Sequence, residues 1–296
     1  MSNGWVILDK PSGMTSRKAG GRIARMFGAN TFGHIGTLDP MASGLLPIAL
    51  GEATKMIPFM EGEHKKEYLF GVQFGFETDT LDITGKVIKQ DNSSFVIRNS
   101  YLSDACARLT GEIEQVPPQY SAVHVGGRRA HDLARRGTAF EIPPRKVTIY
   151  ELRVTSYESN RAEFIVRCSP GTYVRSLARD IAKLCGTVAT VDMIHRTKTS
   201  GFEIKDAAAL DFLENMYNNA ESFEEYLKPV DFGLGDIPVW NMDKNDAKLF
   251  QNGGFIVTSD QLSVTSGLYR AYLDDEFLGI GFIENGLLKP KRVIVA

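Results

Sequence analysis

Apolar and polar positions along the chain follow two periods, one near two residues and one near three and a half. Trp5-Val6-Ile7-Leu8 is a strand-like run that breaks at Asp9-Lys10-Pro11-Ser12-Gly13, a turn signal. Thr15 or Ser16 can cap a helix reaching about Phe27, with Gly28 as its stop. Gly20 and Gly21 inside that helix cost about 1 kcal/mol each, so the close approach of another backbone is expected to offset them. Residues 33–51 are rich in glycine and proline and read as a loop, followed by a helix over 52–60. Residues 68–76 alternate in strand fashion, 84–88 suggest a turn into another strand, and 101–110 carry apolar residues at helical spacing.

The segment 115–146 changes character. It contains proline and glycine, holds a short helical piece over 130–136, and reads as an insertion projecting from the body. Strands follow near 147–157 and 162–168, then a turn at Ser169-Pro170-Gly171. Thr172 is placed to cap a helix reaching about Cys185, with Val174, Leu177, Ala178 and Ile181 as its apolar stripe. An acidic helical stretch, 206–227, leads to a Pro/Gly segment over 229–238, where the domain boundary is expected. The remainder, 237–296, reads as all-β after one short helix over 243–251.

Charge alters this picture locally. The formal net charge is −2, which by itself argues against a nucleic-acid binder. Residues 115–146, however, hold six basic and two acidic side chains, and 161–198 hold seven and three, whereas 203–236 hold two and nine. A near-neutral total can therefore hide a basic face, and phosphate binding follows the local balance. No apolar run approaches the roughly 20 residues that span a bilayer. The N-terminal residues lack a basic stretch followed by an apolar core, so export is not expected. Three scattered cysteines form no disulfide framework, and a cytoplasmic setting with reduced thiols is the simple reading. No His/Cys spacing suits a metal, and no phosphate loop or convincing dinucleotide fingerprint occurs. Asp79 and Asp82 superficially suggest a calcium loop, but their spacing suits a tight turn better.

The strongest chemical feature is Gly33-His34-Ile35-Gly36-Thr37-Leu38-Asp39-Pro40-Met41-Ala42-Ser43-Gly44-Leu45-Leu46-Pro47. One aspartate sits among glycines, prolines and apolar side chains, a setting that can hold a carboxylate at the edge of an apolar pocket. Burial alone would neutralise it, and a nearby arginine would keep it ionised. An Asp-Pro pair is also a common turn former, and the residues alone do not choose between the two.

This loop resembles the catalytic signature of the TruB-type tRNA pseudouridine synthases. Leu8 to Ser16 resembles that family's opening motif, Lys65-Lys66-Glu67-Tyr68 its tyrosine segment, and Gly171-Thr172-Tyr173-Val174-Arg175 its arginine segment. Gln115 to Ala122 resembles the start of its RNA-gripping insertion. The motifs keep the family's order across residues 5–200. The chain departs from the pattern at Ile35, where threonine is usual, at Ile194-His195-Arg196, where Leu-Arg-Arg is common, and at Ser169-Pro170.

The resemblance implies an α+β pseudouridine synthase fold with a mainly antiparallel central sheet over 1–230, carrying the basic insertion at about 115–146. It implies a small β-barrel-like (PUA-like) domain over 237–296, where six basic and seven acidic residues give no charge argument for RNA contact. Asp39 is then the essential nucleophile, paired with Arg175, while Tyr68 stacks on the target base and is placed to assist proton transfer. The uridine, by family resemblance position 55 in the tRNA T-arm, must be flipped out at a cost of a few kcal/mol. Lys10, Arg128 and Arg129 are candidates for phosphate contact, Tyr173 and Ile194 for lining the base pocket, and His34 for steadying extruded nucleotides. Isomerisation needs no cofactor, and a monomer is expected. A same-fold RNA chaperone and a glycosidic hydrolase are the rivals, and no second acid stands beside Asp39 in sequence for the latter.

Overall fold

Two sheets organise the chain in the computed structural model, which describes residues 2–60, 65–91, 98–258 and 265–295. The larger has eleven strands. Its spine runs Ala208–Ala209, Gly4–Lys10, Ser43–Leu50, Ala189–Thr199, Lys66–Phe74, Arg161–Cys168, Arg145–Glu158, Gly111–Gln115. Neighbours along it are antiparallel except at two steps. Gly4–Lys10 runs parallel to Ala208–Ala209, and Ser43–Leu50 parallel to Ala189–Thr199. The fold is thus α+β on a mainly antiparallel sheet.

Residues 43–50 have the composition of a loop yet form a central strand. Every residue from Gly44 to Leu50 is buried. A strand covered on both faces needs no alternation, so the two-residue period gives no sign of it. Pro47 cannot donate to the ladder, but its carbonyl accepts from the Ile35 amide at 3.1 Å. The strand Ala189–Thr199 also escapes the sequence reading, although it is the hub between Ser43–Leu50 and Lys66–Phe74.

The first helix, Ser16–Met26, has Thr15 as its cap, the hydroxyl accepting from the Lys18 amide at 3.2 Å. Gly20 is needed there because a Cβ would lie 2.6 Å from the Phe32 ring. A side chain, not a backbone, makes the close approach. The next helical segment is a 3-10 stretch, Gly51–Met56, with one α-turn, Ile57–Met60. Thr172 does not cap the helix Val174–Leu184. Its hydroxyl donates to the Ser169 carbonyl at 2.9 Å, and the helix starts after Tyr173 without a side-chain cap. In the acidic stretch only Leu210–Asn218 is α-helical.

Residues 116–144 join two strands that pair with each other, Gln115 lying opposite Arg145. The insertion is therefore an elaborated hairpin connection at the sheet edge. Val123, Ala130 and Ile142 give it a small core of its own.

The second sheet has five strands, in the order Val239–Met242, Gly267–Leu273, Glu276–Glu284, Leu287–Val293, Ile256–Val257. Asp243 caps its helix, Lys244–Gln251, by accepting from the Asn245 and Asp246 amides at 2.8 and 2.9 Å. This sheet shares a core with the larger one. Ile280 is buried in one cluster with Trp5, Ile7, Ile35, Leu45, Phe202 and Leu234. Each fully buried Ile or Leu of this kind contributes about 1.5–3 kcal/mol. The Trp5 indole donates to the Val230 carbonyl at 2.9 Å, and the Tyr272 hydroxyl bonds to Asp231, so the connecting segment is fixed from both sides. No described helix is long and apolar enough to cross a membrane.

Candidate active site

Asp39 owes its position to the turn that precedes the first helix. The Ser16 hydroxyl accepts from the Leu38 amide at 2.9 Å and lies 3.1 Å from the Leu38 carbonyl. The Gly13 amide donates to the Pro40 carbonyl at 2.8 Å, and the Ser12 hydroxyl to that of Met41 at 2.7 Å. Leu38 and Ala42 bury their side chains beneath the loop. Between these anchors the Asp39 side chain stays 39% exposed and looks into a cavity of about 200 Å³, the size of one base rather than of a polymer.

Arg175 forms the other wall. Its side chain is 4% exposed, and its Nε lies 2.8 Å from Asp39 Oδ2. The Nε–H is not aligned on an acceptor, so this contact is ionic rather than a directed hydrogen bond. The two Nη atoms donate to the Thr80 carbonyl at 2.7 Å and the Tyr120 carbonyl at 3.0 Å. One guanidinium therefore ties the Asp39 loop, the 78–84 turn and the root of the insertion together. Gln115 strengthens that root, its side-chain amide bonding both the amide and the carbonyl of Tyr173.

Asp82 is the functional candidate that sequence reasoning passes over. It is buried, and its Oδ2 lies 3.6 Å from Arg175 Nη1. Its Oδ1 accepts from the Thr80 hydroxyl at 2.9 Å and from the Thr84 amide and hydroxyl at 3.0 and 2.5 Å. The alternation Thr80-x-Asp82-x-Thr84 is the signal, since threonines on both sides of an acid can satisfy it on burial. Asp82 does not line the cavity, so it is not placed as the second carboxylate of a glycosidase pair.

Tyr68 lines the cavity from the strand Lys66–Phe74 and is 8% exposed. Burial pushes its phenol above the ordinary range, and the Arg196 guanidinium opposes that rise. The phenol is therefore neutral at pH 7. Ile194 and Tyr173 line the same cavity. Tyr173 also packs against the insertion's small core, and partial burial raises its phenol too. His34 lies at the end of the edge strand Phe32–His34, with its Nε2 3.2 Å from the Thr37 hydroxyl. Burial and the Arg196 guanidinium lower its pKa, so the ring is neutral at pH 7.

Lys10 is not where a phosphate contact would have to be. It is fully buried, and its Nζ donates to the Pro11 and Met14 carbonyls at 2.8 and 2.7 Å. The lysine closes the turn that seats Asp39, and burial brings its pKa down to about 8. Arg128 and Arg129 are exposed, on the insertion's two-residue strand opposite His124–Val125. With His124 and Arg136 they line a basic cleft in which Lys10 has no part.

Comparison with known proteins identifies the family. Residues 24–174 match the model of the TruB family pseudouridylate synthase N-terminal domain. Residues 175–234 match the tRNA pseudouridylate synthase B C-terminal domain, and 238–294 the pseudouridine synthase II TruB C-terminal region. The chain is 42% identical to tRNA pseudouridine synthase B of Bradyrhizobium diazoefficiens, over 98% of this chain and 85% of that one. It is equally similar, at 42%, to the protein of that name from Caulobacter vibrioides, over 98% and 96% of the two chains. Among solved structures, a chain from an H/ACA RNP bound to a substrate RNA containing 2'-deoxyuridine superposes with a TM-score of 0.72. It covers 99% of this chain and 85% of its own length at 20% identity, a likeness of fold. By family models that account for nearly all of residues 24–294 and by relatives matched almost end to end, this chain belongs to the TruB family of pseudouridine synthases.

Proposed function

We propose that this chain, acting as a monomer, isomerises a uridine of tRNA to pseudouridine, with position 55 of the T-arm as the target and Asp39 as the nucleophile. The observation that carries the reading is the single carboxylate at the mouth of a base-sized cavity, charge-compensated by Arg175 and faced by Tyr68. The N1–C1′ bond breaks, the freed uracil turns, and a C5–C1′ bond forms. C5 loses a proton and N1 gains one, so no redox partner or group donor is consumed. Leu38, Ala42, Val174 and Ile194 give the cavity apolar walls, which suit an intermediate that water would otherwise intercept.

The base reaches Asp39 only when unstacked, and that cost must be offset elsewhere. Ile194 and Tyr68 offer an apolar floor and a ring face to the base, while Arg128 and Arg129 offer charge to the backbone. The test is incubation of unmodified tRNA with the protein, followed by mapping of the product. Pseudouridine at position 55 is expected, free uracil would favour hydrolysis, and tRNA binding without product would favour the chaperone reading.

The insertion has its own expected signature. Replacing Arg128 and Arg129 with alanine should weaken tRNA binding and lower the slope of log affinity against log salt by about 1.5–2. Dissociation constants at several salt concentrations measure it, and an unaltered slope would remove both side chains from the phosphate contacts.

A further inference from the structure

Arg196 is the least expected charge in the molecule. It is fully buried in the strand Ala189–Thr199. Its Nε donates to the Leu45 carbonyl at 2.8 Å and its Nη2 to the Ile35 carbonyl at 3.2 Å. Its Nη1 has no hydrogen-bond partner, and no carboxylate pairs with it among the described residues. Burying an uncompensated cation is costly, and two carbonyls offset only part of that cost. An apolar side chain would fill the same space with less penalty.

The geometry shows what the charge can supply. Ile35 and Leu45 are the two ends of the loop that carries Asp39, so one side chain closes that loop at its base. In strand register Arg196 stands opposite Gly44 on one side and Tyr68 on the other. Gly36, with φ of 65°, leaves room for it, since a Cβ there would lie 2.6 Å from Nη1. The guanidinium is thus wedged under the loop, and it interacts with the Tyr68 phenol.

We propose that Arg196 is a positioning residue for catalysis, coupling the placement of the Asp39 loop to that of Tyr68 and presenting a fixed positive charge to the Tyr68 oxygen. The nearby charged groups fit this assignment. Lys66, near Gly36, adds to the positive field, Asp39 lies across the cavity, and Cys168 and Tyr68 are both held neutral by burial. Any negative charge that develops on the phenol oxygen meets a dipole and charge already in place, which is the cheapest form of electrostatic help.

The inference rests on the pseudouridine synthase reading, and product formation by the wild-type protein tests that reading separately. Single-turnover rates, with protein in excess over tRNA, and tRNA dissociation constants are measured for Arg196→Lys and Arg196→Met. Both are made with Tyr68 present and in a Tyr68→Phe background, where excess protein keeps slow rates measurable. Arg196→Met should lower the rate about 100-fold, and Arg196→Lys, which keeps the charge but spans only one carbonyl, about tenfold. Affinity for tRNA should change less than about twofold, because the side chain meets no solvent. In the Tyr68→Phe background the Arg196→Lys loss should shrink below about threefold, the mark of two residues acting as one unit. A wild-type rate for Arg196→Lys, a loss lying wholly in affinity, or an equal loss in both backgrounds would each overturn the proposal. Should Arg196→Met fail to fold, the lysine variant decides the matter alone.

Discussion

If Asp39 is the nucleophile proposed above, Asp39→Asn should lower the single-turnover rate of pseudouridine formation by at least about 10⁴-fold, the scale on which such a loss acts. The substitution keeps shape and size. The loop is held by the Ser16 and Ser12 hydroxyls, the Gly13 amide, and the buried side chains of Leu38 and Ala42, none of which it touches. With the side chain more than a third exposed, the thermal midpoint should move by no more than a few degrees. Affinity for tRNA should be retained, since loss of a negative charge at the mouth of the cavity does not repel RNA. Equal product from the variant and the wild type would remove Asp39 from the chemistry.

Arg175→Lys should lower the same rate by about 10²–10³-fold with tRNA affinity unchanged. Arginine serves four partners here, Asp39, Asp82 and the carbonyls of Thr80 and Tyr120, through a flat fork of donors. Lysine offers one compact charge that can reach some of them but not all. Whichever it reaches, either Asp39 or the buried Asp82 is left less well compensated. Because Arg175 is almost fully buried, its loss should appear in rate and stability rather than in binding. A variant that binds tRNA more weakly but turns over normally would place Arg175 on the RNA surface instead.

The motifs that carry the site are legible because they punctuate the chain. The Gly/Pro-rich run around Asp39 and the Ser169-Pro170-Gly171 turn ahead of Arg175 both announce breaks in regular structure. Thr172 misleads at the second break, because a hydroxyl that bonds back to Ser169 looks in sequence like one that caps the helix ahead. The periodicity of 16–26 gives a helix, capped where Thr15 stands. The strands Ser43–Leu50 and Ala189–Thr199 stay hidden for the opposite reason. Ser43–Leu50 is covered on both faces, so the two-residue alternation has no cause to appear, and in Ala189–Thr199 the buried positions include the polar Thr190, Arg196 and Thr199, which mask it. Asp39 and Arg175 are separated by 136 positions (175 less 39), and their 2.8 Å contact follows from the order of strands between them, which no local pattern encodes. Lys10 misleads because a lysine beside Pro11 and Gly13 looks like a solvated turn residue. Only the fold shows two carbonyls waiting for its ammonium group. Asp82 misleads in the same way, since the threonines that satisfy it read as ordinary turn formers.

The cluster that joins Ile280 to Trp5, Ile35 and Leu45 has a consequence for how such a chain can change over time. Ile35 and Leu45 flank the loop that carries Asp39, and the tail of the chain supplies part of the apolar bed on which they rest. The tail is therefore no interchangeable module. Replacing it with an unrelated unit would strip the underside of the Asp39 loop, so changes to either half are expected to be felt by the other.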